Sequence, residues 1–417
     1  MAERQFKLVV AQLGARRHYA IPRMLFEAGM LAHFYTDICA TKGWPRLLKI
    51  VPMAMQSAGI KRLLGRIPHG VPARYITTFT RFSLEYQSRR VSAKSYAEAI
   101  EASIWSAKRF CELVLASGLH DAGGVYTFNS AGLELLTEAR KRGLRAIVEQ
   151  TIAPMEVENR LMQAEHGSFP GWESVPVEDT AWAEFAAREQ AEWAMADTIL
   201  CGSEFVRDSI TACGGHAEKC RVVPYGVDAR FSLPDKAPHH GPLRVLTVGA
   251  VGLRKGSPYV LEAARMLRGQ ADFRMVGNLG VQPTARQALA GAVELTGPVP
   301  RTQMLQHYAW ADVFLLPSIC EGSAGVVYEA LAAGLPVVCT PNTGSVVRDG
   351  VDGFIVPIRD AAAITEALSG FLQRHELLRR MSEQARLRAQ AFGLEPYKAK
   401  LISALGHGLG DKDHVAE

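Results

Sequence analysis

Short apolar, β-branched runs alternate with longer stretches of helical periodicity through almost the whole chain. This alternation is typical of parallel sheets built from βαβ units, because a parallel strand needs a long crossover connection, usually a helix. The pattern therefore predicts the α/β fold class. Strands are predicted at residues 7–12, 124–128, 145–151, 198–202, 221–224, 243–251, 273–276, 293–296, 313–316, 336–339 and 354–356.

A polar stretch divides the strands into two series. Residues 235–242 are bracketed by prolines and show neither helical nor strand periodicity, so they predict an interdomain linker. The length of 417 residues also exceeds what one hydrophobic core usually organises. We therefore expect a first domain over residues 1–234 and a second domain that begins at residue 243.

Two loops that follow predicted strands of the second domain carry candidate binding chemistry, and ligands of open α/β sheets bind beyond the carboxyl ends of strands. Loop 249–256 contains Arg254 and Lys255, whose charges suit a leaving diphosphate. Ser257 and Pro258 predict the N-cap and first residue of the next helix. The alternative interpretation of this loop is a solvated basic turn.

The second loop connects strand 313–316 to a predicted helix over 326–333 and is rich in small residues. Backbone amides at such a helix start favour a phosphate. Glu321 and Glu329 are at most ~12 Å apart along a helix and point in different directions, which does not suit one acid–base pair. They fit the two ends of one elongated ligand, although solvent-facing glutamates are the alternative. The small residues are Gly322, Ser323, Ala324 and Gly325.

Composition excludes several classes of protein. The chain is 48% hydrophobic and 21% charged, as in folded globular proteins. Its seven cysteines are scattered without metal-ligand spacing, which predicts reduced thiols and a cytoplasmic location. No apolar run has the length of a signal-peptide core or a membrane span, and no metal or other cofactor is expected.

The net charge of +5 is concentrated in residues 42–94, where eleven Lys or Arg accompany a single acid, Glu85. Apolar residues are interleaved with these cations. The stretch predicts either a peripheral contact with an anionic membrane surface or a solvated basic face. Nucleic acid is not expected as a partner, because no recognition motif accompanies the charge.

The two loops, in this order, resemble the donor half of the retaining GT-B glycosyltransferases called group 1, or family 4. The resemblance extends through residues 312–318 and 329–338, reaches back to Val223–Asp228, and covers roughly residues 185–395. It implies two Rossmann-like, doubly wound domains facing across a cleft, the second over residues 243–394. It also implies that the segment 395–417 holds a helix crossing back to the first domain, and a tail.

The resemblance implies a role for each matched residue. Lys255 would contact the donor diphosphate, aided by Arg254, and Glu321 would contact the transferred sugar. Glu329 would bind the ribose, and Val299 would lie near the base. The backbone at Gly249 and at residues 322–325 would complete the donor site.

The chain departs from the family pattern at three places. Ala250 occupies the position of a frequent arginine, for which Arg254 is the candidate substitute. Ser323 and Ala324 replace a common aromatic–glycine pair. A histidine that relatives place after a strand of the first domain is absent after residue 151, which leaves His18 and His166 as candidates beside the structural roles that isolated histidines usually have.

The resemblance implies transfer of a hexose-type sugar, with retention, from a nucleoside diphosphate sugar to a glycan or lipid-linked acceptor. Bacterial cell-surface polysaccharide synthesis is the expected setting, either in the cytoplasm or as a peripheral protein at the inner face of the plasma membrane. Two alternatives remain open: a sugar-nucleotide epimerase or hydrolase on the same fold, and a non-catalytic partner in a polysaccharide assembly complex.

Overall fold

The computed structural model describes residues 6–52, 55–175, 180–234 and 241–406. Most of the predicted linker 235–242, and the tail beyond residue 406, therefore lie outside the described residues. The chain divides into two compact units that interleave along the sequence. The first comprises residues 1–150, 176–200 and 211–221, and the second comprises residues 151–175, 201–210 and 222–417. The predicted domain boundaries and the crossing of the terminal helix stay predictions.

One seven-stranded sheet organises the first unit, in the order β3-β2-β1-β4-β5-β6-β7. The pairs from β3 through β5 are parallel. The strands are β1 (Leu8–Gln12), β2 (Leu31–Thr36), β3 (Ile76–Thr78), β4 (Gly124–Phe128), β5 (Arg145–Gln150), β6 (Thr198–Cys201) and β7 (Cys220–Val222).

A six-stranded sheet organises the second unit, in the order β10-β9-β8-β11-β12-β13, and all its strand pairs are parallel. The strands are β8 (Leu243–Val248), β9 (Ala271–Val276), β10 (Val293–Gly297), β11 (Val313–Leu316), β12 (Val337–Cys339) and β13 (Gly353–Ile355).

Helices connect the strands of both sheets. No helix among the described residues combines the length and apolar character needed to cross a membrane. The helices are α1 (Ala20–Glu27), α2 (Ala58–Leu64), α3 (Thr80–Ser92), α4 (Tyr96–Ser117), α5 (Leu133–Lys141), α6 (Met155–Ser168), α7 (Thr180–Met195), α8 (Glu204–Ala212), α9 (Ser257–Met266), α10 (Pro283–Ala290), α11 (Met304–Trp310), α12 (Gly325–Ala332), α13 (Ala361–Gln373), α14 (His375–Gln390) and α15 (Leu394–Gly406).

Both sheets have the strand order of doubly wound folds. Counted from each sheet's own first strand, the order is third, second, first, fourth, fifth, sixth, and the first sheet adds a seventh strand after the sixth. The direction of winding reverses between the first and fourth strands, and this switch point is where such sheets bind ligands. The predicted α/β class with two Rossmann-like domains is confirmed. In the second unit the switch point lies between β8 and β11.

The core of the second unit explains why β11 ends in a binding loop. All four residues of β11 are fully buried, as expected for a central parallel strand with both faces covered. Neighbouring buried side chains come from α9 and α13, among them Leu261 and Leu368. The buried strand fixes its carboxyl end firmly, so the residues after Leu316 are placed by the core.

Two strands of the first sheet were not predicted. β2 carries His33 and Thr36 among its apolar residues, and β3 is only three residues long. β2 lacks the continuous β-branched run on which the prediction relied, and the run in β3, Ile76–Thr78, is too short to stand out. Their pairing, β1 with β2 and β2 with β3, is a tertiary property that local periodicity does not encode.

Candidate functional site

Two cations converge on one carboxylate at the switch point of the second unit. Arg254 and Lys255 lie in the loop after β8, and Glu321 lies in the loop after β11. Glu321 Oε1 accepts from Lys255 Nζ at 2.6 Å and from Arg254 Nη1 at 3.0 Å. The Ile319 amide also donates to the Arg254 carbonyl at 2.9 Å. The structure thus brings together the three residues predicted as the reactive centre.

Burial sharpens the electrostatics of this cluster. Lys255 is 9% exposed, and burial lowers the pKa of its ammonium while Glu321 opposes that shift. Burial would also lower the pKa of Arg254, but Glu321 and Glu158 outweigh it and the pKa is raised. Two cations therefore share mainly one carboxylate, with Glu158 3.9 Å from Arg254 Nε. A second anion would be attracted strongly, because poorly solvated charges interact over a low local dielectric.

Two glycines of the loop after β8 allow close approaches that a side chain would block. Gly249 has φ 143°, and a Cβ there would lie 2.9 Å from Lys255 Cε. Gly256 has φ 71°, and a Cβ there would lie 2.1 Å from the Pro317 carbonyl oxygen. The positive φ at Gly256 strongly favours glycine, and the close approach also requires it. This glycine allows the loops after β8 and β11 to lie against each other.

The helix that follows does not begin as predicted. Ser257 is the first residue of α9, the cap position is Gly256, and no side chain caps the helix. The hydroxyl of Ser257 instead accepts from the Gly252 amide at 2.8 Å. The predicted N-cap role of Ser257 is therefore wrong, because its hydroxyl stabilises the loop preceding the helix.

The small residues after Glu321 have distinct surroundings. Gly322 is packed so closely that a Cβ would lie 2.0 Å from the Thr151 carbonyl oxygen, and its carbonyl accepts from Ser203 Oγ at 2.5 Å. The Ala324 amide donates to the Thr343 carbonyl at 3.3 Å. Gly325, at the start of α12, has open space where a Cβ would be. A phosphate-binding role for these residues stays a prediction.

Two hydroxyl groups hold the middle of the loop after β11 in place through hydrogen bonds. Ser323 Oγ lies 2.8 Å from the Tyr328 hydroxyl, which also accepts from the Tyr225 amide at 3.2 Å. Tyr328 is buried on α12. The serine that replaces the family's common aromatic residue is therefore a structural contact within the second unit.

Glu329 belongs to a second group of side chains on α12. Its Oε1 accepts from Arg301 Nη2 at 3.2 Å, and its Oε2 accepts from the Tyr308 hydroxyl at 2.9 Å. Burial raises the pKa of Glu329, against the opposing effects of Arg301 and Tyr308. Glu321 and Glu329 thus have separate sets of partners, as expected if they hold different ends of one ligand. Val299, predicted to lie near a base, is half-buried in the same connection as Arg301.

Arg301 and Tyr308 were missed by the sequence analysis. Arg301 follows the predicted base-contact segment by two residues, and Tyr308 lies on α11, fully buried. A tyrosine inside an apolar helix resembles any core aromatic residue in sequence. Only the tertiary structure shows that its hydroxyl contacts the Glu329 carboxylate.

Residues 151–175 form a strap that packs on the loops after β8 and β11. The sequence analysis did not predict this strap. Glu173 Oε1 accepts from the Leu253 amide at 2.7 Å, and a Cβ on Gly252 would lie 2.3 Å from the same oxygen. The Ala153 amide donates to the Glu321 carbonyl at 3.3 Å. The strap therefore holds the backbone on both sides of the Lys255–Glu321 pair.

A buried ion pair anchors the strap to the second unit. Glu165 on α6 is fully buried, pairs with Arg359 Nε at 2.5 Å and accepts from the Tyr259 hydroxyl at 3.0 Å. A buried carboxylate is stable only with such partners. The anchor explains why residues 151–175 belong to the second unit although they follow β5 directly.

Glu173→Ala is expected to destabilise the second unit by about 1–3 kcal/mol, because the buried Leu253 amide loses its acceptor. Chemical denaturation measures this change. Glu156→Ala is the matched control, since Glu156 is exposed on the same strap; its effect should stay within about 0.5 kcal/mol. Equal stabilities of the two variants would show that Glu173 does not hold the donor loop.

The two candidate histidines lie in different units. His18 belongs to the first unit and lies in the 3-10 segment Arg16–Tyr19, directly before α1. Its φ is 51°, and its amide donates to the Ala15 carbonyl at 3.1 Å. His166 is half-buried in the last turn of α6, in the second unit. At the end of β5, Glu149 is buried, pairs with Arg17 and accepts from the Tyr126 hydroxyl at 2.5 Å. A catalytic role for either histidine stays a prediction.

Comparison with known proteins finds similarity in the segment that carries this site. Residues 242–374 match the family model described as glycosyl transferases group 1. The amylovoran biosynthesis glycosyltransferase AmsK of Erwinia amylovora is 30% identical over 193 residues, 42% of this chain and 47% of that protein. The putative colanic acid biosynthesis glycosyltransferase WcaL of Salmonella typhimurium is 31% identical over 228 residues, 50% of this chain and 56% of WcaL.

A solved structure extends the likeness to both units. HepE of Anabaena, in complex with UDP and glucose, is 13% identical and covers 96% of this chain and 100% of its own, with a TM-score of 0.62. At this identity the likeness concerns the fold, which is GT-B. The chain spans about half the length of the curated relatives it matches.

Proposed function

We propose that the protein is a retaining glycosyltransferase, because residues 242–374 match the family model of the glycosyl transferases group 1. It transfers a hexose-type sugar from a nucleoside diphosphate sugar to a hydroxyl of a glycan or lipid-linked acceptor. The observation that carries the proposal is the pairing of Lys255 and Arg254 with Glu321 at the switch point. An anion-binding pair beside a carboxylate suits a diphosphate next to a sugar.

The donor would lie along the carboxyl ends of β8 and β11. Its diphosphate replaces Glu321 as the partner of Lys255 and Arg254, and Glu321 then accepts hydroxyls of the sugar. Glu329, held by Arg301 and Tyr308, accepts the ribose hydroxyls. Carboxylates suit such hydroxyls because charge-assisted hydrogen bonds are strong.

The reaction follows from the same arrangement. The bond from the anomeric carbon to the β-phosphate oxygen breaks, and the acceptor oxygen bonds to that carbon on the same face. The acceptor proton passes to the departing phosphate, so the configuration is retained without a protein nucleophile. Lys255 and Arg254 stabilise the negative charge that develops on the leaving group, where preorganised charges contribute most.

The comparisons support the setting of this activity. AmsK and WcaL are named for amylovoran and colanic acid biosynthesis, and HepE was solved with UDP and glucose. We propose by analogy that this chain acts in bacterial cell-surface polysaccharide synthesis, in the cytoplasm or at the membrane.

A panel of nucleoside diphosphates, screened by thermal unfolding, tests the donor class. A matching nucleotide at about 100 times its Kd should add about 2.7 kcal/mol of stability. The corresponding nucleotide sugar should then give an α- or β-linked product of unchanged anomeric configuration, observed by NMR. Rapid sugar epimerisation or free-sugar release as the main reaction would instead assign an epimerase or hydrolase.

A further inference from the structure

A surface of the first unit combines exposed apolar side chains with cations. Leu47 is 65% exposed, Ile50 80%, Met55 73% and Trp44 42%. Side chains of this size are rarely left in water together without a function. We call this surface the basic–apolar face and define it by Trp44, Leu47, Ile50, Met55, Arg46, Lys49, Lys61 and Arg62.

Local structure keeps the apolar side chains outward. The 3-10 segment Trp44–Ile50 fully buries only Pro45, and its Trp44, Leu47 and Ile50 side chains project from the unit. α2 packs against this segment and is capped by Ser57, whose hydroxyl accepts from the Ile60 amide at 3.3 Å. The two elements therefore form one contiguous surface.

The charge of the face has one sign. No Asp or Glu occurs between Asp37 and Glu85 in the sequence. Arg46, Lys49, Lys61 and Arg62 are all exposed, and none has a carboxylate partner among the residues described. Four cations beside four apolar side chains are the composition of an interfacial membrane-binding surface.

Other cations of the stretch 42–94 are already engaged. Lys42 donates to the Ile76 carbonyl, and Arg66 pairs with Asp37 at 2.9 Å. Arg89 pairs with Glu85 at 3.2 Å and lies 4.0 Å from the centre of the Trp105 ring. These three cations are therefore not counted as part of the basic–apolar face.

We propose that the basic–apolar face docks on an anionic lipid bilayer. Its apolar side chains enter the boundary between headgroups and acyl chains, and its cations contact lipid phosphates. A second copy of the chain does not fit this face, because two surfaces with four cations each repel one another. Nucleic acid would not use the aliphatic side chains, which account for most of the exposed apolar surface.

Vesicle co-sedimentation tests the proposal. The intact protein should bind vesicles of phosphatidylcholine with phosphatidylglycerol and bind phosphatidylcholine vesicles weakly. Replacing Arg46, Lys49, Lys61 and Arg62 by serine should lower the partition coefficient roughly 600-fold, since each of the four surface cations contributes roughly fivefold. Leu47→Ser with Ile50→Ser should lower binding to both kinds of vesicle.

The matched control removes the same charge elsewhere in the stretch. Serine at Arg74, Arg81, Arg89 and Arg90 should change vesicle binding by less than about threefold, even though α3 also exposes Leu84 and Val91. Equal losses in the two quadruple variants, or no binding of the intact protein, would overturn the proposal. A change in mass by light scattering without a change in vesicle binding would instead assign the face to a second copy.

Nucleotide binding separates this inference from the proposed reaction. Each variant should keep the thermal stabilisation by its nucleotide, because the face lies in the first unit and the donor residues lie in the second. Retained stabilisation also shows that the variants fold. Loss of vesicle binding therefore leaves the transfer proposal intact. Likewise, failure of the transfer proposal leaves the membrane-docking proposal intact.

Discussion

Lys255→Ala is expected to lower kcat/KM for sugar transfer about a thousandfold, because the leaving diphosphate loses a preorganised cation. Lys255 is nearly buried and lies 2.6 Å from Glu321, so no mobile surface cation replaces it. Steady-state kinetics with the nucleotide sugar found by the screen measures the loss. Arg254→Ala should have a smaller effect of the same sign, since its side chain is more exposed and shares its charge with Glu158.

Arg265→Ala is the matched control for this prediction. Arg265 is exposed and lies on α9, the helix that directly follows the loop of Lys255. Its removal changes the net charge of the unit equally but should leave kcat/KM within about twofold, because exposed charges are screened by solvent. A Lys255→Ala enzyme with normal kcat/KM would refute the assignment of this lysine to the leaving group.

Glu321→Gln is expected to separate turnover from nucleotide binding. The kcat should fall about 100- to 1000-fold, because the transferred sugar loses a charged hydrogen-bond acceptor at the reacting centre. Affinity for the nucleoside diphosphate should be unchanged or higher, since Lys255 and Arg254 no longer have Glu321 as a competing anion. Steady-state kinetics and equilibrium titration measure the two quantities.

The conservative replacement by glutamine keeps the size of the side chain, so its effects report charge. The free energy of unfolding of the variant should fall by about 1–3 kcal/mol, because the buried Lys255 loses its charged partner while the side-chain packing is kept. A variant that loses nucleotide affinity together with turnover would show that Glu321 orders the loop and has no separate role at the sugar.

The sequence predicted the positions of the loops after β8 and β11, because both loops are local patterns next to buried strands. Val313–Leu316 is an uninterrupted apolar run, and all four residues are fully buried. The residues that follow it, among them Glu321, are therefore placed by the core, as are Arg254 and Lys255 after the largely buried strand β8. Predicting the contact between Glu321 and Lys255 would have required knowing that β8 and β11 are neighbours in the sheet, which the local pattern does not show.

Features that depend on distant pairing were not predictable. The strap is held by Glu165 and Arg359, which are 194 residues apart in sequence. No periodicity of α6 distinguishes a helix anchored in the second unit from one in the first. The role of Ser257 was wrong for a related reason, since its hydroxyl could cap its own helix or the preceding loop, and packing selects the Gly252 amide.

The most direct test of the donor site is an equilibrium titration of the nucleoside diphosphate found by the thermal screen. We predict that the Lys255→Ala, Arg254→Ala double variant binds it at least tenfold more weakly than the parent, about 1.4 kcal/mol, while Arg265→Ala binds it equally well. Equal affinity of the double variant and the parent would contradict the placement of the diphosphate at the β8–β11 switch point.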